Sequence, residues 1–452
     1  METTRASWLK QIGDRQMYPM LPQKLVAMRP PIIIESAEGV MVTDLNGKRY
    51  LDCQGGLWCV NVGHNRQEVK GAIIEQLDKL QYYTSFPGTA TSPSIELANK
   101  LCDVASEEKM RKVFFSSGGS DAVESALKIA RQFWKIEGQA EKYKIISLRH
   151  GYHGLHFGGM SATSGTPLRR SYEPLLPGFF QVESPNLYRN PFTSDPEALS
   201  QMCATLLARE IEHQSPSTVA AIIAEPVQGA GGVNVPPDSY WKRLREICDK
   251  NDVLLIADEV VTGLGRSGSL FGCRGWGVQP DLMTMAKGLT SGYLPLGATL
   301  LGERVAQAYD KDGVHGLFMH GLTYSGHPVA CAAGIAVVDL TLREDLATNA
   351  RVVGEYFLNG LREALDKYEV VGDVRGKGLM IAIEMVKNRK TKEPFSLRDP
   401  LPHLVTEFCA SAGMIVRGMQ GKFIISPPLT FTREHADMAV DIFEQAFTKH
   451  RL

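Results

Sequence analysis

The chain has 452 residues, of which 44% are hydrophobic and 22% charged, and its formal net charge is −1. That length calls for roughly two or three packed units, and the near-neutral balance excludes the basic excess of a nucleic-acid binder or of a protein drawn to anionic membranes. No apolar run reaches the ~20 residues that span a bilayer, and residues 1–16 lack the basic-then-apolar pattern of an export signal, so a cytoplasmic, soluble protein is expected.

In chain order, residues 40–45 and 48–51 read as strands flanking Asn46-Gly47. Both of those residues tolerate positive φ, which makes the dipeptide a hairpin signal. Apolar runs at 113–115, 144–148, 220–224, 253–257 and 297–301 then alternate with helix-like stretches. The pairs Ala122/Val123, Ala126/Leu127, Ile129/Ala130 and Phe133/Trp134 repeat at the spacing of one helix face. Continuous apolar strands alternating with helices predict an α/β layer around a buried, mainly parallel sheet.

Beyond about residue 330 the pattern changes. Helices are expected over 329–342 and 351–368, and strands over 378–384 and 422–426, which together read as a smaller α+β domain. The expected division is an N-terminal segment, 1–60, packing with the small domain; a large domain, 61–328; and the small domain, 329–452. The eight cysteines are scattered without a CxxC pair, so they signal neither a zinc site nor a dithiol motif. Most are expected to be small buried hydrophobes in a reducing compartment.

Four segments carry candidate chemistry. Ser116-Ser117-Gly118-Gly119-Ser120 lies between a strand and a helix. Small residues there let backbone approach a ligand, and free N–H groups at the helix start favour an anion; a plain flexible turn is the other reading. Asp258-Glu259 ends an apolar strand, where a buried carboxylate needs a cationic partner or caps the next turn. Lys287, in Met285-Ala286-Lys287-Gly288-Leu289, is an amine that desolvation would free for Schiff-base chemistry, or a surface lysine whose stem covers apolar residues. In His150-Gly151-Tyr152-His153-Gly154-Leu155-His156 the histidine spacing suggests a metal cluster, but the glycines oppose the helix that would align them; an aromatic stacked on a flat ligand fits better.

Gly263-Leu264-Gly265-Arg266-Ser267-Gly268 matches GxGxxG after a strand. The residues that follow are loop-like, whereas a dinucleotide site needs a helix to open there.

These segments stand in an informative order with Ala224-Glu225-Pro226-Val227-Gln228-Gly229 and His320-Gly321-Leu322-Thr323-Tyr324-Ser325-Gly326. Together they resemble the class III, or ω-, aminotransferases, a group of fold-type I pyridoxal-phosphate (PLP) transferases, over nearly the whole chain from about Pro31. The resemblance implies that Lys287 binds the cofactor and carries the proton, and that Asp258 pairs with its pyridine nitrogen. It implies that Gly119 and Ser120 hold the phosphate, Tyr152 and Val260 flank the ring, and Glu225 lies near the cofactor. Thr323 matches a residue reaching the phosphate of a neighbouring subunit, which implies a homodimer, with pairing into tetramers left open. Arg417 resembles the arginine that binds the substrate carboxylate, and its guanidinium fork suits one. Trp58 matches a wall of the substrate pocket. The sequence departs from the family pattern at Gly118-Gly119-Ser120-Asp121, where many members carry Ser-Gly-Ser-Glu.

The implied reaction moves an amino group from an amine or ω-amino acid, such as β-alanine, putrescine or taurine, to a 2-oxo acid, with pyruvate the expected acceptor. Within the family the alternative is an aminomutase or a decarboxylating enzyme. Outside it stand a nicotinamide-dependent oxidoreductase built on the GxGxxG match and a non-catalytic binding protein.

Overall fold

Apolar runs become the strands of three sheets in the computed structural model, which describes residues 15–20, 24, 31–311, 316–396, 398–419 and 421–450. Of the stretch read for an export signal, all but Arg15 and Gln16 lies outside the described residues.

The first sheet begins with β1 (Ile34–Glu38), β2 (Met41–Asp44) and β3 (Arg49–Asp52). The Asn46-Gly47 turn joins β2 to β3, but only Gly47 takes a positive φ, 79°. Asp44 explains the difference: its Oδ1 accepts from the Asn46 N–H at 2.8 Å and the Lys48 N–H at 3.0 Å. A side-chain acceptor thus closes the turn without a left-handed asparagine.

The large sheet has seven strands, β4 (Met110–Ser116), β5 (Lys144–Leu148), β6 (Phe179–Val182), β7 (Val219–Ala224), β8 (Leu254–Asp258), β9 (Leu282–Met285) and β10 (Gly297–Gly302), in the order β4-β10-β9-β8-β7-β5-β6. Only β10 runs antiparallel to its neighbours. The central strands are buried on both faces, as parallel sheets require. Helix Gly119–Ile136 covers one face, and every apolar pair read from the sequence is buried there with Ala221, Ile223, Leu254 and Ile256. Trp134 anchors it, donating Nε1–H to the Ala220 carbonyl at 2.8 Å. Truncating so large a buried aromatic to alanine costs about 3–5 kcal/mol.

The third sheet joins β11 (Val371–Gly376), β12 (Ile381–Asn388), β13 (Glu393–Pro394), β15 (Arg417–Met419) and β16 (Lys422–Ile425), while β14 (Met414–Ile415) pairs in parallel with β3 of the first sheet. Helices Leu346–Leu365, Pro400–Ser411 and Arg433–Lys449 pack here, and the core includes Phe357, Phe423, Phe431, Phe443 and Phe447 together with Leu51 and Cys53 from the N-terminal part. The strand expected from 378 starts at Ile381 instead. Gly378, at φ 60°, turns so tightly against the Arg266 carbonyl that a Cβ would lie 2.6 Å from it. All eight cysteines are free thiols. Among the described residues no helix is long and apolar enough to cross a membrane.

Candidate active site

Parallel strands deliver their C-terminal ends to one edge of a sheet, and ligands of α/β folds bind there. Gly119 and Ser120 follow β4, Tyr152 and His153 follow β5, Glu225 follows β7, Asp258 ends β8, and Lys287 follows β9. Segments far apart in sequence therefore converge because the strands before them lie side by side.

Gly118 caps helix Gly119–Ile136 without a side-chain acceptor, leaving first-turn N–H groups open to an anion. Gly119 is pressed against Val260: a Cβ would come within 2.8 Å of Val260 Cγ1. Ser120 Oγ accepts from the Leu155 N–H at 3.3 Å, which ties the Tyr152 loop to the helix start. Asp121, which with Gly118 departs from the family pattern, accepts from the Ser117 N–H at 3.1 Å and so closes the same turn.

Asp258 is 4% exposed, and its carboxylate is held on three sides. His153 Nδ1 lies 2.7 Å from Oδ2, Thr284 Oγ1 donates to Oδ1 at 3.0 Å, and the Val260 N–H reaches Oδ1 at 3.2 Å. The neighbouring acid has a separate task. Glu259 accepts from the backbone N–H groups of Gly272 and Cys273 at 2.8 and 2.7 Å, and so fixes the chain fold. Of the histidines in the 150–156 segment, His153 binds Asp258, whereas His156 Nδ1 lies 3.4 Å from Asp121 Oδ1.

Lys287 opens a short turn, Lys287–Leu289, at φ 43°, a left-handed conformation unusual for a side-chain-bearing residue. Burial lowers its amine pKa, against the opposing charges of Asp258 and Glu225. Glu225 accepts from the N–H groups of Tyr152 at 2.8 Å and Gly229 at 2.9 Å. Burial nevertheless pushes its carboxyl up to about 7, with the charge of Asp258 adding to the rise and His153 and both N–H groups opposing it. Burial likewise raises the Tyr152 phenol, and Arg417 opposes that shift.

Arg417 opens β15 and is half-buried. Burial weakens its hold on its proton, and among the described residues its guanidinium makes no ion pair. Trp58 is buried at the end of turn Gly55–Trp58, which packs against Lys287–Leu289. Asp52 builds that turn by accepting from the N–H groups of Gln54, Gly55 and Gly56 at 3.1, 2.8 and 3.0 Å, while its Oδ2 meets His64 Nε2 at 2.9 Å.

Thr323 does not join this cluster within the chain. It is exposed between β10 and helix Pro328–Arg343, and its carbonyl accepts from Tyr82 Oη at 2.6 Å. Sequence reasoning missed the residues that orient the others, namely His153, Thr284 and the Asp52 and His64 pair. For His153 the signal was present in the histidine spacing, and its partner was not. The GxGxxG segment forms no helix; its Arg266 is fully buried, donating to the carbonyls of Leu379 and Pro427 and to Asn61.

The site fits PLP on its own geometry. An uncapped helix start suits a phosphate, a buried carboxylate suits a ring cation, and a desolvated lysine suits an aldehyde. Comparison with known proteins agrees. A profile of the class III aminotransferases matches residues 24–447. The chain is 37% identical over 435 residues to a putrescine–pyruvate aminotransferase of Pseudomonas aeruginosa, covering 96% of this chain and 94% of that protein. It superposes on a PLP-bound amine transaminase from an uncultivated Pseudomonas species with a TM-score of 0.95 at 47% identity, covering 96% and 98% of the two chains. An (S)-enantioselective ω-transaminase from Thermomicrobium roseum gives 0.94 at 39% identity, covering 98% of each. With a mixed α/β fold of the fold-type I kind and a site at the ends of its parallel strands, this chain belongs to the class III aminotransferases.

Proposed function

We propose that the enzyme uses PLP to transfer an amino group from an amine or ω-amino acid to a 2-oxo acid, with pyruvate as acceptor. The observation that carries this reading is Arg417: a half-buried guanidinium without an ion pair among the described residues, in electrostatic reach of both Tyr152 and Lys287. A cation in that place suits the carboxylate of a 2-oxo acid. The similarity to a putrescine–pyruvate aminotransferase supports both a carboxylate-free donor and pyruvate.

PLP, when bound, supplies the electron sink that makes the carbon next to the amino group acidic. The N–H groups at Gly119 and Ser120 would hold its phosphate, and Tyr152 and Val260 would flank the ring. Asp258, fixed by His153 and Thr284, places a negative charge for the ring nitrogen. Glu225 lines the same pocket with a carboxyl poised near neutrality. Lys287 Nζ, relieved of part of its proton affinity by burial, takes the proton from the substrate carbon and hands it on. Trp58 bounds the substrate space and Arg417 binds the acceptor carboxylate.

A second copy of the chain completes the reading. Tyr83, Phe86, Leu317, Met319 and Tyr324 are exposed apolar residues of the two segments that Tyr82 Oη and Ser85 Oγ tie together through the carbonyls of Thr323 and Ser325. So large an apolar face calls for cover, and a homodimer would carry Thr323 toward the partner's phosphate. The eight free thiols suit the cytoplasm.

The test is alanine formation. Purified protein with PLP and pyruvate is offered β-alanine, putrescine, taurine, a longer ω-amino acid and a simple arylalkyl amine in turn. Alanine from one or more donors is expected, and no alanine across the whole panel would remove the proposal.

A further inference from the structure

The GxGxxG segment, unused by the chemistry above, holds one of the largest fully buried side chains of the protein, Arg266. Among the described residues this cation has no ion pair. Burial lowers its pKa to about 10, and a buried charge without a counter-ion is costly. Its hydrogen bonds show where it is used. One guanidinium nitrogen donates to the Leu379 carbonyl at 3.2 Å and to the Pro427 carbonyl, both in the C-terminal half. The other donates to Asn61 Oδ1 at 3.0 Å. The Arg266 carbonyl in turn accepts from the Leu379 N–H at 3.1 Å.

Asn61 is held at both ends. Its Nδ2 donates to the Leu264 carbonyl at 3.0 Å, and its own carbonyl accepts from the Leu429 N–H at 2.8 Å. The amide so fixed lies against Gly288, where a Cβ would stand 2.3 Å from Asn61 Nδ2. Gly288 follows Lys287, whose φ of 43° is left-handed. One residue beyond Asn61, the Val62 N–H donates to Ser291 Oγ at 3.1 Å, a second tie to the same turn.

We propose that Arg266 and Asn61 are positioning residues that clamp the Lys287 turn in its left-handed form and couple it to the C-terminal domain through the carbonyls of Leu379 and Pro427. This rests on the reading of Lys287 as the amine that binds the cofactor and moves the proton. Without the Asn61 amide the turn is free to relax and Nζ moves off line, where a displacement of about 1 Å costs on the order of 100-fold in rate.

The experiment uses the PLP-loaded protein. Asn61→Ala, Gly288→Ala and the double variant are compared with wild type by pH titration of the visible band of the lysine-bound cofactor, by single-turnover rate with an amine, and by thermal midpoint. Asn61→Ala is expected to shift the titration and slow single turnover about 10- to 100-fold while phosphate-anchored PLP binding changes less than about threefold. Gly288→Ala alone should be more harmful than in the Asn61→Ala background, where its methyl group has room. Arg266→Met strips the seam of its donors and risks misfolding, so Arg266→Lys, with partial retention of the wild-type titration, is its usable counterpart. If Asn61→Ala lowers only the thermal midpoint and leaves titration and single turnover at wild-type values, the clamp is refuted. A wild-type protein without a lysine-dependent visible band would instead overturn the assignment of Lys287, and the clamp with it.

Discussion

His153 Nδ1 lies 2.7 Å from Asp258 Oδ2, and both side chains are almost wholly buried. A carboxylate offers only acceptors, so Nδ1 carries the proton; His153 Nε2, buried beside Gly151, has no hydrogen-bond partner among the described residues. His153 therefore serves to aim Asp258. His153→Ala removes one charge-assisted hydrogen bond, about 1.5–3 kcal/mol, and should slow single turnover with an amine roughly 10- to 100-fold. Asp258→Asn removes the charge itself and should slow it further. Rapid-mixing measurements of both variants decide the order, and a His153→Ala rate equal to wild type removes the aiming role.

Lys287→Ala should abolish turnover, because no other amine among the described residues follows the end of a central strand at this edge. The uncapped helix start at Gly119 and Ser120 is untouched by the change, so PLP should still bind reversibly through its phosphate. Equilibrium dialysis with PLP, run beside the turnover assay, separates the two functions. Near-normal turnover would remove the central assignment.

Much of this was legible in the chain. The apolar runs of β5, β7, β8 and β10 were found within a residue because strands buried on both faces leave continuous hydrophobic signals. β6, with Gln181 inside a four-residue half-buried edge strand, leaves no such signal and went unseen. Asp258, Lys287 and Tyr152 stand out because each sits at a strand end in an unusual local context. The residues that hold them in place do not, since that property belongs to pairs: His153 matters through a carboxylate 105 positions away, and Arg266 through an amide 205 positions away. The GxGxxG match shows the same limit, for its glycines serve close packing, Gly265 against Ala347 and Leu429 and Gly268 against Arg351, at φ of 96° and 86°.

Glu225 should make stability fall as pH rises. Its folded value, about 7, exceeds the ordinary 4.5. Below the lower value both states are protonated and the contribution is complete. Between the two the unfolded chain loses the proton while the folded chain keeps it, so stability declines until the folded carboxyl also ionises. The full span is on the order of 3 kcal/mol. Glu225→Gln lacks this slope. Urea unfolding of cofactor-free protein at pH 5 and pH 7.5, at one fixed protein concentration, should show wild type losing stability relative to the variant. Parallel profiles would show that Glu225 ionises normally.

Arg417 should divide the two half-reactions. Its guanidinium has no ion pair among the described residues, and burial already weakens its protonated form, so a substrate carboxylate gains both a partner and a poorly solvated cation. Removing one member of such a pair costs about 2–5 kcal/mol. Arg417→Ala should therefore lower kcat/KM for pyruvate by about 30- to 5000-fold. Putrescine and simple arylalkyl amines carry no carboxylate and should lose less than about fivefold in the donor half-reaction, whereas β-alanine should suffer as pyruvate does. Single-turnover rates for each half-reaction, measured separately, test the pattern. Equal losses for putrescine and pyruvate would mean that Arg417 supports the pocket as a whole, and the carboxylate would then have to be bound elsewhere.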